Sequence, residues 1–191
     1  MKIYLPLDSA AVALGADEIA AAIRAKSADV TLVRNGSRGM VWLEPMVEME
    51  TPAGRMAFGP MTVADVPALF GDLAAHPKAL GLTEELPWMK AQTRLTFARV
   101  GVIDPLSLAD YRAHGGLKGL ERALGMGQPD MVTEVTNSGL RGRGGAGFPT
   151  GIKWKTVSEA QADRKYIVCN ADEGDSATFA DRMLMEGDPF T

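Results

Sequence analysis

Six glycines fall between residues 139 and 151, at Gly139, Gly142, Gly144, Gly145, Gly147 and Gly151. Glycine is a poor residue for the interior of a helix or strand, so a run this dense reads as a loop. The full stretch is Ser138-Gly-Leu-Arg-Gly-Arg-Gly-Gly-Ala-Gly-Phe-Pro-Thr-Gly-Ile-Lys-Trp154. A flexible linker is ordinarily rich in glycine and serine. This one instead carries Phe148, Pro149 and Trp154, with positive charge on Arg141, Arg143 and Lys153. Glycines let a ligand approach the backbone closely, and successive exposed N–H groups make an anion-binding concavity. The composition predicts a phosphate-binding loop.

Gly142, Gly144 and Gly147 satisfy G-x-G-x-x-G. The dinucleotide fingerprint needs a strand before it. Here Pro129 to Asn137 reads as a helix, with Pro129 in its first turn and Met131, Val132 and Val135 on one face. The standard Rossmann turn is therefore excluded. The P-loop is excluded too, because Lys153 is not preceded by glycine and followed by Ser or Thr. After a polar span from Val157 to Arg164, Lys165-Tyr-Ile-Val-Cys169 predicts a strand, with Cys169 as a small buried apolar residue. Asn170, Asp172, Glu173 and Asp175 follow. They read either as a solvated acidic turn or as acceptors for ribose or ribityl hydroxyls. With the loop, they suit a nucleotide or flavin nucleotide. Phe148 can stack on a ring; Trp154 does so or fills the core.

The first 75 residues read as a small α/β unit. Strands are expected at Lys2 to Leu5 and Val30 to Arg34, with a helix over Ala16 to Ala25 between them. A hairpin is expected from Met46–Glu50 and Arg55–Phe58, turning at Thr51-Pro-Ala-Gly54. Val47 and Met49 face the core, and Glu48 and Glu50 face water. Thr62 and Asp65 form an acidic helix-starting box before Val66, Leu69 and Phe70. His76 to Arg99 reads as a connector, and Ser107 caps a helix that Gly115-Gly116 interrupts. The expected organisation is 1–75, then a connector with helices over 76–128, then 129–191.

A net charge of -4 argues against nucleic acid as a partner, and the single cysteine excludes an internal disulfide or a cysteine-built metal site. No apolar run spans a bilayer, and Asp8 interrupts the apolar start, so neither a membrane segment nor a signal peptide is expected. The reading is cytoplasmic. Gly187 to Thr191 closes no element, which points to a piece of a longer protein.

Arg141-Gly-Arg-Gly-Gly-Ala-Gly-Phe-Pro-Thr-Gly-Ile-Lys-Trp154, followed by Cys169-Asn-Ala-Asp-Glu173, resembles the flavin-bearing, NADH-oxidising subunit of respiratory complex I and its soluble relatives. Ile103 to Gly116 is similar to that family's approach to the loop. The resemblance implies a non-standard Rossmann-like FMN/NADH-binding domain, of which 129–191 would be the N-terminal part. It implies FMN and NAD as cofactors, held by Gly142, Arg143, Gly144, Gly145, Ala146, Gly147, Phe148, Lys153, Asn170, Asp172 and Glu173. Phe148 would help hold the dinucleotide; Lys153, Asn170 and Asp172 would lie nearer FMN. The flavin carries the hydride step, so no catalytic side chain is named. The family's [4Fe–4S] cysteines come later than Thr191, and the 191 residues alone are expected to be inactive.

The first 75 residues resemble the family's partner thioredoxin-like [2Fe–2S] domain. Aligned on Gly15-Ala16 and Gly39, the cluster cysteines are replaced by Pro6, Ala11, Ser37 and Val41, none of which ligates iron. A cluster-free thioredoxin-like start, Asn35-Gly-Ser-Arg-Gly-Met40 and Asp175-Ser-Ala-Thr-Phe-Ala-Asp-Arg182 look most like the diaphorase subunit of soluble molybdenum-dependent formate dehydrogenases. The implied partners are an iron–sulfur subunit of the 24-kilodalton type and a molybdenum-containing catalytic subunit. The diaphorase of NAD-reducing hydrogenase, the complex I flavoprotein and a non-catalytic docking fragment stay open as alternatives.

Overall fold

Asp8 turns the chain out of its first strand. The computed structural model describes Met1–Thr191 and opens on β1 (Lys2–Tyr4). The Asp8 carboxylate accepts from the N–H groups of Ala10 and Ala11 at 3.0 and 3.1 Å and starts α1 (Ser9–Ala13). Gly15, at φ 102°, takes the left-handed conformation that leads into α2 (Ala16–Lys26). Asp17 and Glu18 stand in the first turn of α2, and Arg24 and Lys26 in its last, each favourable to the helix dipole. Its buried stripe is Ala16, Ile19, Ala20 and Ile23. β2 (Thr31–Val33) returns parallel to β1. The hairpin of β3 (Val47–Thr51) and β4 (Gly54–Phe58) adds antiparallel strands on the other side of β1. β5 (Ala79–Leu82) extends the sheet to the order β2-β1-β3-β4-β5. The result is one parallel crossover joined to an antiparallel hairpin in a mixed α/β chain.

The core lies on the α2 side of the sheet, where Ile3, Leu5, Ile19, Ile23, Val47, Met49 and Phe58 are buried together. Val66 and Leu69 close it from a 3-10 helix, Val63–Phe70. The box at its start is formed as expected: Asp65 Oδ2 accepts from Thr62 N at 2.9 Å and Thr62 Oγ1 at 2.7 Å. Pro67 inside the segment removes an N–H donor, which disfavours a regular α-helix there.

Two differences from the sequence reading stand out in this region. The segment read as a connector supplies β5, whose Leu82, Gly81 and Ala79 pair with Met56, Ala57 and Phe58. The short Ala-Leu-Gly-Leu run has no polar alternation to mark it as a strand. The second is Glu48, expected to face water but 1% exposed. It is tolerated because Arg38 Nε and Nη2 donate to it at 2.8 and 3.3 Å, and Arg55 Nη1 at 3.1 Å. Arg55 lies over the Tyr4 ring and also donates to the carbonyls of Gly101 and Val102 at 3.0 and 2.6 Å. Asn35 Nδ2 donates to the same Gly101 carbonyl at 2.7 Å.

Glu44 is a second buried acid. It accepts from Ser37 Oγ at 2.6 Å and from Met46 N at 2.8 Å. Burial pushes its pKa up to about 7, against these hydrogen bonds and with help from the nearby negative charges of Asp8 and Glu48. The folded state thus favours the protonated carboxyl. That contribution is full below the ordinary carboxylate range and is lost as pH rises through about 7. From pH 4 to pH 8 the loss amounts to about 3 kcal/mol. Urea unfolding of Glu44→Gln is expected to lack most of this slope and to exceed the parent in stability at pH 8. An unchanged slope would exclude Glu44 as its source.

Beyond the sheet come α3 (Pro87–Lys90) and α4 (Leu108–Ala113). Ser107 caps α4 by accepting from Asp110 N at 3.1 Å. The chain divides into two units, Met1–Gly116 with Ala171–Thr191, and Leu117–Asn170. The second contains α5 (Lys118–Leu124), α6 (Gln128–Asn137) and α7 (Thr150–Glu159). The strand expected at Lys165 to Cys169 is not formed, and Tyr166, Ile167, Val168 and Cys169 are exposed. A strand needs a neighbour for its backbone groups, and this unit offers only helices. The last element, α8 (Ala180–Gly187), belongs to the first unit. No helix is long and apolar enough to cross a membrane.

Candidate functional site

The glycine loop of the second unit is a pinned structure rather than a slack connection. α6 precedes it and α7 follows it. Arg141 and Pro149 form an antiparallel bridge at its neck. Thr150 N donates to Leu140 O and Gly142 N to Phe148 O, both at 2.9 Å. Beyond this neck, Ala146 N donates to Gly144 O at 2.8 Å and tightens the tip. Arg141 Nε reaches across to Gly147 O at 2.6 Å, and Arg143 Nη1 folds back to Arg141 O at 2.7 Å. The two arginines thus organise the loop with part of their donor sets.

The glycines serve different purposes. Gly145 and Gly147 have φ of 74° and 57°, which favour glycine. A Cβ at Gly144 or Gly145 would meet nothing within 4 Å, so the tip backbone faces open space. A Cβ at Gly142 would lie 3.2 Å from Lys153 Nζ and 3.6 Å from Phe148 O. Lys153 therefore stands beside the start of the loop, with its ammonium 5.9 Å from the half-exposed Phe148 ring. Gly151 is buried, and a Cβ there would lie 2.6 Å from Thr136 Cα. This close approach of α7 to α6 fixes the footing of the loop. Its participant on α6, Thr136, is absent from the expected set. A small residue in the first turn of a helix after a loop is the only sequence signal for it.

Trp154 is half-exposed rather than core. A cavity of about 440 Å³ lies beside it, lined also by Met131, Val157, Lys153 and Ile167. Both rings therefore have a face open to a planar ligand. Of the strand-end residues, Asn170 belongs to the second unit, and Asp172 and Glu173 to the first. Glu173 accepts from Asp181 N at 3.1 Å and Arg182 N at 3.0 Å, satisfying the N-terminus of α8. Its carboxylate has a structural role there that the sequence did not reveal.

The residues offered are N–H-rich backbone, guanidinium and ammonium groups, and two exposed aromatic faces. Such a set suits phosphate attached to a ring system. Comparison with known proteins finds similarity in the same region. Residues 135–191 match the family model described as Nuo51 FMN-binding domain. The chain is 54% identical over 102 residues to the NADP-reducing hydrogenase subunit HndC of Solidesulfovibrio fructosivorans, covering 53% of this chain and 21% of that one. It is 54% identical over 91 residues to an NADH-quinone oxidoreductase subunit of Rhizobium meliloti, covering 47% and 22%. It is 51% identical over 63 residues to the NAD-reducing hydrogenase HoxS subunit alpha of Cupriavidus necator, covering 32% and 10%. The chain thus spans about a fifth or less of the length of these relatives.

Proposed function

We infer that this chain, whose residues 135–191 match the Nuo51 FMN-binding domain model, is part of a diaphorase subunit in a multi-subunit NAD-dependent oxidoreductase of the flavin-bearing, NADH-oxidising family. The observation that carries the reading is the glycine loop, pinned at its neck, open at its tip, and flanked by Arg143 and Lys153. FMN, when bound, supplies the chemistry of taking a hydride from NADH and passing electrons on singly. Gly142 to Gly147 would bring backbone N–H groups to its phosphate, with Arg143 and Lys153 adding charge. Phe148 would lie against the dinucleotide. Asn170, Asp172 and Glu173 would serve the hydroxyl-bearing side.

The finer reading is a soluble, cytoplasmic formate dehydrogenase, supported by the cluster-free thioredoxin-like start. Its partners would be an iron–sulfur subunit of the 24-kilodalton type and a molybdenum-containing subunit, with a [4Fe–4S] cluster held beyond Thr191. A second reading, a hydrogenase diaphorase, is favoured by the identity to the two hydrogenase subunits. The purified complex is expected to contain FMN whose visible absorbance bleaches on NADH addition; a complex without flavin overturns the oxidoreductase reading. Formate-dependent against hydrogen-dependent NAD⁺ reduction decides between the two donors.

A further inference from the structure

Arg94 is a guanidinium with no carboxylate in hydrogen-bond contact. Its Nε is buried and has no hydrogen-bond partner. Its Nη1 reaches only the Met89 sulfur, at 3.9 Å. The residue is half-buried, and partial withdrawal of a charge from water without pairing it is disfavoured. Burial, and then the nearby Arg38 charge, push the Arg94 pKa down, against the weaker opposing pull of Glu84 and Glu48. Arg38 itself is paired with both nearby carboxylates. Glu48 takes its Nε and Nη2, and Glu84 approaches its Nη1 at 3.1 Å. Glu48 also serves Arg55. Of these three arginines, Arg94 is the one that makes no ion pair.

Arg94 and Arg38 line a cavity of about 510 Å³ built wholly from the first unit. Trp88, Leu95, Phe97 and Met183 give it apolar walls, and Gln92 and Thr96 add polar groups. Trp88 is held edge-on to Trp42, with ring centroids 5.1 Å apart. The volume is in the range of small-molecule sites. We propose that this cavity binds a small organic monocarboxylate, its carboxylate on the terminal Nη groups of Arg94 and its apolar body against Trp88, Leu95 and Phe97. A planar carboxylate matches a guanidinium fork in shape and supplies the single negative charge required. A phosphate dianion brings a second charge that nothing there meets. The proposal is independent of the flavin reading, since none of its residues belongs to the glycine loop.

The test is saturation-transfer NMR titration of the purified chain with phenylacetate, beside 2-phenylethanol and inorganic phosphate. Saturable one-to-one binding of phenylacetate is expected, at least tenfold tighter than either comparison ligand. Loss of one charge-assisted bidentate contact in Arg94→Gln is expected to weaken it about tenfold or more. Met183→Trp fills the cavity without touching Arg94 and is expected to abolish binding, so the test holds even if Arg94→Gln fails to fold. Equal binding of 2-phenylethanol, tighter binding of phosphate, no saturable binding, or undiminished affinity in a folded Arg94→Gln or Met183→Trp protein overturns the proposal.

Discussion

Glu48→Gln is expected to destabilise the first unit by about 3–5 kcal/mol, because it leaves two buried arginines short of their shared counter-charge. Arg38 and Glu48 side chains are 3% and 2% exposed, and Arg55 is 17% exposed, so water cannot take over the lost contacts. For a unit of this size the thermal midpoint should fall by roughly 10–20 °C. Glu50→Gln, on the same strand but exposed, is the control, expected within about 0.5 kcal/mol of the parent. Circular dichroism melts of both variants decide the matter. A Glu48→Gln protein that melts with the control would mean that the ion cluster contributes little to stability.

The second large effect separates the footing of the glycine loop from its tip. Gly151→Val drives side-chain atoms into Thr136 and should cost the second unit about 1–3 kcal/mol or more. Trp154 stands on the same helix, and with Trp42 and Trp88 of the first unit replaced by Phe its fluorescence reports the unfolding of the second. A Cβ at Gly144 meets nothing within 4 Å, so Gly144→Val should leave the unfolding free energy within about 0.5 kcal/mol of the parent. If the tip receives a phosphate, its new side chain obstructs the approach, and FMN retention by the full complex should fall at least tenfold. A Gly144→Val complex with full flavin content would move the phosphate away from the tip.

The parts of the fold that could be read in the sequence are those coded by neighbours along the chain. The hairpin at Thr51 to Gly54, the Thr62–Asp65 box, the Ser107 cap and the helix at Pro129 all rest on residues a few positions apart. What could not be read depends on distant partners. Nothing local says that Glu48 turns inward, since Arg38 and Arg55 lie ten and seven residues away and the carbonyl that Arg55 shares is at Gly101. β5 becomes a strand because β4 presents an edge, not because of its own composition. Tyr166 to Val168 shows the converse: strong β-formers remain extended and exposed where no edge is available. At the loop, glycine density could be read directly. The division of labour could not: Gly145 and Gly147 for conformation, Gly151 for contact, and Gly144 for open space.

The clamp on the Gly101 and Val102 carbonyls has a consequence for how the chain is attacked from outside. A protease must draw several residues of extended backbone into its cleft, so a segment tied down by buried side chains resists cutting even beside a good recognition residue. Arg99 precedes such a tied segment, and its own guanidinium is held by Asp188 at 2.8 Å. Ala160 to Asn170 carries Arg164 and Lys165 on exposed backbone outside any helix or strand. The same trypsin specificity therefore meets a locked target at one point and an open one at the other, and the first stable product should keep the sheet and its clamp intact.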